Sequence, residues 1–491
     1  MSRTATRSSP VGAQDDVELE NYVYSRTKSQ TFSTHHHSSV TPESVSGTRS
    51  DSRSNSTTLA NNNDNGNEND GNEEESYPDG GIRAYSVTLG SFLGLIVNLG
   101  MINSIGALQT YISRNQLVKL SEVNISWIFG IFLSIAYAGG LATGPIFDKY
   151  GPKWLLIAST LFMFAGLMGA ASSTSIWHFI LSFIGMGIGN GLGMTPLVGV
   201  ISHWFHKKRG LTTGLATCGG SVGGLVFPLM LRSLYVQVGY VWAVRVLAFI
   251  CLACMVVSTL LVKERFTSKK SGGGVTEGKA KSHVIKPRLT KVFKIKDFKY
   301  VYVILGSFFA ELSLVLLVTY FASYSIAQGV SESTSYLLLT VWNAVGILGR
   351  FIPGFISDVY GRFNVNILML IGYTLTILVL LLPFGPKSHG ALWAFAVLGG
   401  YCSGSILSLL PACLSQITPV NEMGTKYGIL NSLLALANLF GVPIAAAIIR
   451  DGTKTQYTHF MIFVGVLAFC GTFFWCCSRV AIVGFKLNIK V

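Results

Sequence analysis

Gly144-Pro-Ile-Phe-Asp148-Lys-Tyr-Gly151-Pro-Lys153-Trp154 is a short polar turn between two long apolar stretches, and a second copy, Gly354-Phe-Ile-Ser-Asp358-Val-Tyr-Gly361-Arg362, stands 210 residues further on. Each copy closes an apolar segment with an acid, turns on a glycine and resumes with a basic residue. A carboxylate at the C-terminal end of a helix faces the negative end of the macrodipole. An acid kept there needs a cation or the N-terminus of a neighbouring helix. Basic residues directly after the turn suit the cytoplasmic side of a membrane. One copy would pass for a stop signal with a stray charge. Two copies at matching places argue for a paired conformational gate built on Gly144, Asp148, Gly151 and Lys153 and on Gly354, Asp358, Gly361 and Arg362.

The surrounding chain fits a membrane. Of 491 residues, 50% are hydrophobic and only 12% charged, too apolar a balance for an ordinary soluble protein. The net charge is +14, yet residues 1–76 hold about 12 acids against 6 bases, so the surplus lies beyond them. Such a surplus belongs in cytoplasmic loops. Nucleic-acid binding would need the bases on a soluble module, and they line none. The eight cysteines all fall in apolar segments, and Cys251-x-x-Cys254 has no ligand histidine nearby, so they read as small buried hydrophobes.

Twelve apolar spans follow the polar tail, at about residues 84–109, 122–146, 154–173, 176–202, 210–235, 241–263, 298–327, 332–357, 363–384, 389–414, 424–449 and 457–483. The expected organisation is a disordered tail (1–76), a six-helix bundle (77–263), a basic linker (264–297), a second six-helix bundle (298–484) and a short tail (485–491). The region from Lys263 to Lys299 carries about a dozen bases and a patch near Leu289–Phe298 able to lie on anionic lipid. The halves echo each other beyond the opening motif: Trp177 and Pro196 match Trp393 and Pro411, and Gly210 and Pro228 match Gly424 and Pro443, at offsets of about 215. Duplicated six-helix halves mark a transporter that rocks around a midplane site. The loop charges assign both termini to the cytoplasm. Asn124-Ile-Ser126 is a sequon too close to the membrane to expect use.

The G-x-x-x-D-x-x-G-x-K/R pattern resembles the loop between helices 2 and 3 of the major facilitator superfamily, and the second copy its counterpart between helices 8 and 9. The resemblance covers Tyr77 to the C-terminus and implies an all-α membrane protein with twelve helices in two pseudo-symmetric bundles and alternating access. Trp204-Phe-His-Lys-Lys-Arg209-Gly-Leu-Thr-Thr-Gly214 and Pro78-Asp79-Gly80-Gly81 resemble the monocarboxylate-porter branch. The helix 8 arginine of its animal members falls at Arg350, but their aspartate one turn earlier falls at Gly346, so the acid of that proton-coupling pair is missing. Glu311-Leu-Ser, Gly361-Arg-Phe-Asn-Val and Cys402-Ser-Gly-Ser-Ile-Leu-Ser-Leu-Leu-Pro, among others, resemble the fungal riboflavin carriers of this branch. That resemblance implies facilitated riboflavin uptake at the fungal plasma membrane. Proton-coupled monocarboxylate transport is the alternative, and a non-transporting sensor of the same fold is a third.

Lys207, Lys208 and Arg209 keep the mouth of helix 5 cytoplasmic and are natural partners for Asp148. Small residues of this helix recur at intervals of four, a pattern that lets helices approach closely in lipid. No strand precedes them, so they are no phosphate cradle. Arg245, Glu311 and Arg350 are ionisable groups inside spans, each costing roughly 2.5–3.5 kcal/mol at mid-helix on insertion scales. They are candidates for substrate contact or coupling, or for a structural ion pair between Glu311 and one arginine. Asn103 and Asn343 are substrate candidates among several intramembrane amides that also include Asn98, Gln109, Asn190 and Asn438. Amides and aromatic faces suit an isoalloxazine ring, although hydrogen bonding between helices explains each Asn as well. No nucleophile–base or metal constellation is visible, so neither catalysis nor a cofactor is expected. The partners expected are a small molecule, the bilayer and regulatory kinases acting on the Ser/Thr-rich tail.

Overall fold

The computed structural model describes residues 77–118, 122–265, 298–450, 452–486 and 489–490. The polar tail with its His35-His36-His37 run and nearly all of the basic linker lie outside the described residues, as do the side chains of Asn124 and Ser126.

Among the described residues, twelve helices are long and apolar enough to cross a membrane. The first six are α1 (Ile82–Gln109), α2 (Trp127–Tyr150), α3 (Lys153–Ala171), α4 (Ile176–Trp204), α5 (Arg209–Gln237) and α6 (Gly239–Leu261). The second six are α7 (Phe298–Ala327), α8 (Glu332–Tyr360), α9 (Arg362–Phe384), α10 (His389–Leu414), α11 (Val420–Ile449) and α12 (Lys454–Val483). Among the described residues there is no strand. That is what lipid demands, because a helix satisfies its backbone groups within itself. Both acids of the repeated motif lie inside helices: α2 and α8 run past Asp148 and Asp358 to Tyr150 and Tyr360. Gly151 (φ 77°) and Gly361 (φ 99°) then end them in a backbone conformation that other residues adopt only at a cost.

Helix pairings repeat between the halves. α1 packs on α5 and α6, α3 on α4 and α6, and α2 on α4; correspondingly α7 packs on α11 and α12, α9 on α10 and α12, and α8 on α10. Two seams join the halves, α5 against α8 and α2 against α11. Glycines set their closeness. A Cβ added at Gly354 would lie 2.8 Å from the Gly210 carbonyl oxygen, and one at Gly140 would lie 2.9 Å from that of Gly428.

Large apolar side chains cover the outside: Trp154, Leu161, Trp177, Leu181, Phe249, Leu260, Phe355, Leu368, Phe440 and Phe469 are all exposed. A soluble monomer does not present such a surface to water. Trp154 opens α3 at the end of the molecule carrying the two motifs, and Trp177 opens α4 at the other end. Aromatic rings at both levels fit the two interfaces of a bilayer.

Candidate gate and substrate cleft

The motif acids close one end of the molecule by capping helices of the opposite half. Asp148 on α2 accepts from the Gly424 and Thr425 N–H groups at 2.9 and 2.7 Å and from the Thr425 hydroxyl at 2.6 Å, all at the start of α11. Asp358 on α8 accepts from the Gly210 and Leu211 N–H groups, both at 2.8 Å, at the start of α5. Of the partners open to such an acid, the structure uses the helix N-terminus in both copies. Free amides and the positive end of the macrodipole reward a carboxylate there. Hydrogen bonds to a charged group are worth about 1.5–3 kcal/mol each, strong enough to hold an end shut yet reversible.

The basic residues act differently from the expectation that they neutralise Asp148. Arg209 is buried and spends its donors on carbonyls, from Nε to Phe205 at 2.7 Å, Nη2 to Ser202 at 2.8 Å and Nη1 to Ser415 of the other half at 3.1 Å. Lys207, Lys208 and Lys153 are exposed. Arg362 does meet an acid, but its own Asp358 one turn earlier, at 3.3 Å. It also donates to the His206 carbonyl across the seam at 2.6 Å. The carbonyl ends of helices attract cations as the amide ends attract Asp148 and Asp358. Just past the end of α6, Glu264 crowds Gly151. Burial first, and then the charge of Asp148, raise its carboxyl above the usual carboxylate range.

Deeper in, Glu311 and Arg350 are buried, and among the described residues no ion pair joins either one to the other or to Arg245. Each reaches a different helix of the opposite half. Glu311 Oε1 on α7 accepts from the Tyr137 hydroxyl on α2 at 2.8 Å, while Arg350 Nη1 on α8 donates to the Thr217 carbonyl on α5 at 2.6 Å. Gly220 permits the latter approach, since a Cβ there would lie 3.1 Å from Arg350 Nη1. Among the described residues, Glu311 Oε2 and Arg350 Nε find no hydrogen-bond partner. Arg245 stands apart, half-buried on α6 with its guanidinium 5.2 Å over the ring of exposed Trp242. Tyr137 was not legible as a site residue. Its only signal is a hydroxyl in the run Ala136-Tyr137-Ala138-Gly139-Gly140, where small neighbours mark a helix contact.

Asn103 on α1 and Asn343 on α8 come together beside Gly224 of α5: a Cβ there would lie 2.7 Å from Asn103 Cβ and 3.4 Å from Asn343 Oδ1. Both asparagines are only partly buried. Their amide nitrogens donate to the Gly220 carbonyl at 3.0 Å and the Leu339 carbonyl at 3.1 Å. The oxygens remain available to accept. Asn98 and Asn190 lie elsewhere, within the first half, where Asn190 Nδ2 donates to the Asn98 carbonyl at 2.7 Å and Asn98 Nδ2 donates to the Gly94 carbonyl of its own helix at 2.9 Å. Asn438 is buried, and its side chain finds no hydrogen-bond partner among the described residues. Among the described residues no group of three or more His, Cys, Asp or Glu gathers to hold a metal ion.

Two helical halves joined at motif-bearing seams agree with the sequence profile that matches residues 89–441 and 354–481, that of the Major Facilitator Superfamily. The chain belongs to this superfamily. It is 40% identical over 429 residues to the riboflavin transporter MCH5 of Saccharomyces cerevisiae, covering 85% of this chain and 82% of that one. It is 30% identical over 407 residues to the aspyridones efflux protein of Emericella nidulans, covering 81% and 79%. Among solved structures it resembles the superfamily transporter FucP in its outward conformation, with a TM-score of 0.62, 14% identity and coverage of 81% and 98%. The chain is thus a multi-pass membrane transporter of small molecules, all-α in fold.

Proposed function

We propose that this transporter carries riboflavin into the cell across the fungal plasma membrane by facilitated alternating access, with its motif end and both termini in the cytoplasm. The observation that carries this reading is the 40% identity, spread over both halves, to the yeast riboflavin transporter. The chemistry of the two asparagines beside Gly224 agrees with it. Riboflavin is neutral near pH 7, and the unengaged amide oxygens of Asn103 and Asn343 suit its imide N–H and ribityl hydroxyls. With Asp148 and Asp358 capping α11 and α5, the motif end is shut, so the substrate enters from the opposite side. Arg350 and Glu311 are the candidates to sense the bound ring, since each has one unpartnered atom beside a bond that crosses between halves. Kinases acting on the Ser/Thr-rich tail are the proposed regulators.

The second reading, proton-linked monocarboxylate transport, rests on Arg350, a buried cation able to pair with a carboxylate. It lacks the acid one turn earlier, where Gly346 stands. Uptake of labelled riboflavin and labelled lactate by cells lacking their own carriers separates the two. Saturable riboflavin uptake with weak dependence on a proton gradient is expected. Steep stimulation of lactate uptake by external acid, with no riboflavin uptake, would sink the flavin assignment.

A further inference from the structure

Asp79 stands just before α1 with a φ of 47°, a left-handed conformation that costs a non-glycine residue energy and persists only where the surroundings hold it. Its Oδ1 accepts three successive backbone N–H groups, those of His206 and Lys207 at 2.7 Å and of Lys208 at 3.4 Å. Its own N–H donates to the Trp204 carbonyl at 3.3 Å. Consecutive amides converging in this way form an anion-binding concavity, and here the occupant is a side chain of the same molecule. Those amides belong to the turn between α4 and α5. The His206 carbonyl of that turn receives Arg362, and Arg209, which ends it, reaches the Ser415 carbonyl; both partners lie in the other half. Tyr77 adds ring contacts, 5.2 Å to the His206 ring and 5.9 Å to the Arg209 guanidinium. An anchor for the start of α1 alone would need neither the left-handed backbone nor an oxygen centred on three amides.

We propose that Asp79 is a positioning residue for the gate. It fixes the α4–α5 turn in the shape that presents the His206 carbonyl to Arg362 and Arg209 to Ser415, and so helps hold the motif end shut from outside both motif copies. The clasp lies within the first half and travels with it, while the bonds it positions break when that end opens. Losing Asp79 therefore lowers the population of the closed-gate state rather than removing a substrate contact.

The test uses the full-length protein in membranes and needs no knowledge of the substrate. N-ethylmaleimide is applied and each native cysteine is read by peptide mass spectrometry. Cys413 is fully buried at the motif end of α10, two residues before the Ser415 carbonyl that Arg209 reaches, and Cys251 is buried within the first half as a reference. Asp79→Ala is expected to speed Cys413 alkylation by at least about 5-fold, the effect of a coupling near the low end of the usual range, with Cys251 unchanged. Asp79→Asn should fall between Ala and the natural residue, because a neutral carbonyl still accepts but more weakly than a carboxylate. A wild-type Cys413 rate in Asp79→Ala at normal abundance overturns the proposal. Should Asp79→Ala fail to reach the membrane, or speed Cys251 as well, Asp79→Asn decides, and a wild-type Cys413 rate there overturns it equally.

Discussion

Tyr137 and Thr217 change what the buried charges mean. Glu311 and Arg350 were legible in the sequence because a charge within an apolar run stands out. Their partners were not, since one is a tyrosine among small residues and the other a backbone carbonyl, which no sequence spells. The natural guess, an ion pair, predicts that Arg350→Gln with Glu311→Gln recovers part of what either single change loses. With separate partners on separate helices of the opposite half, the double variant is expected to transport no better than the worse single one. Recovery in the double would show the two charges acting as a pair elsewhere in the cycle. Tyr137→Phe is the more direct probe. It leaves both Glu311 oxygens without a donor, at a cost of about 1–3 kcal/mol. The lost bond crosses between halves, so that cost falls on the closed state, shifting the equilibrium roughly 5- to 150-fold. Reduced uptake at normal membrane abundance, with faster alkylation of Cys218 in the α5–α8 seam, is the expected outcome. Unchanged uptake and alkylation would strip Tyr137 of any part in the gate.

At the scale of helices, each seam is a glycine contact locked by a carboxylate cap. The glycine spacing and the two acids were legible, and the structure places glycines at both seams and an acid beside each. The choice between cation and helix end was not, because which helix start lies opposite Asp148 depends on the crossing of α2 and α11, a tertiary fact. The cap and the contact fail in distinguishable ways. Asp148→Asn keeps the shape but loses the charge facing the Gly424 and Thr425 amides, so the closed state weakens. Gly144→Ala acts by bulk, since its Cβ would collide with the Gly424 carbonyl and keep α2 from seating against α11. Both should reach the membrane and transport poorly. Raising abundance should not rescue either, and normal transport by Asp148→Asn would reduce that acid to a topological marker. The pseudo-symmetry extends the argument, with Asp358→Asn expected to match Asp148→Asn in kind because it caps α5 through the same two-amide geometry.

For the whole molecule the open variable is which end faces the cell interior, and the closed end carries the clue. Lys149, Lys153, Lys207, Lys208, Arg209 and Arg362 gather there, and the linker leaving α6 and entering α7 at the same end adds about a dozen bases. The opposite loops hold Arg114, Lys119, Lys387 and Lys454. Basic residues in short loops resist translocation, which sets the orientation of the bundle as a whole. The gate also needs some of these charges for its own bonds: Arg209 and Arg362 are engaged with carbonyls, whereas Lys207, Lys208 and Lys153 are exposed and available to the membrane surface. On the proposed orientation, the charges that face the cytoplasm and the bonds that shut this end share one set of loops. Single cysteines introduced within residues 270–285 should therefore resist a membrane-impermeant thiol reagent in intact cells and react once the cells are permeabilised. A cysteine beside Lys387 should react in intact cells. The reverse pattern, with the linker labelled and the Lys387 loop protected, would put the closed end outside and turn the proposed importer around.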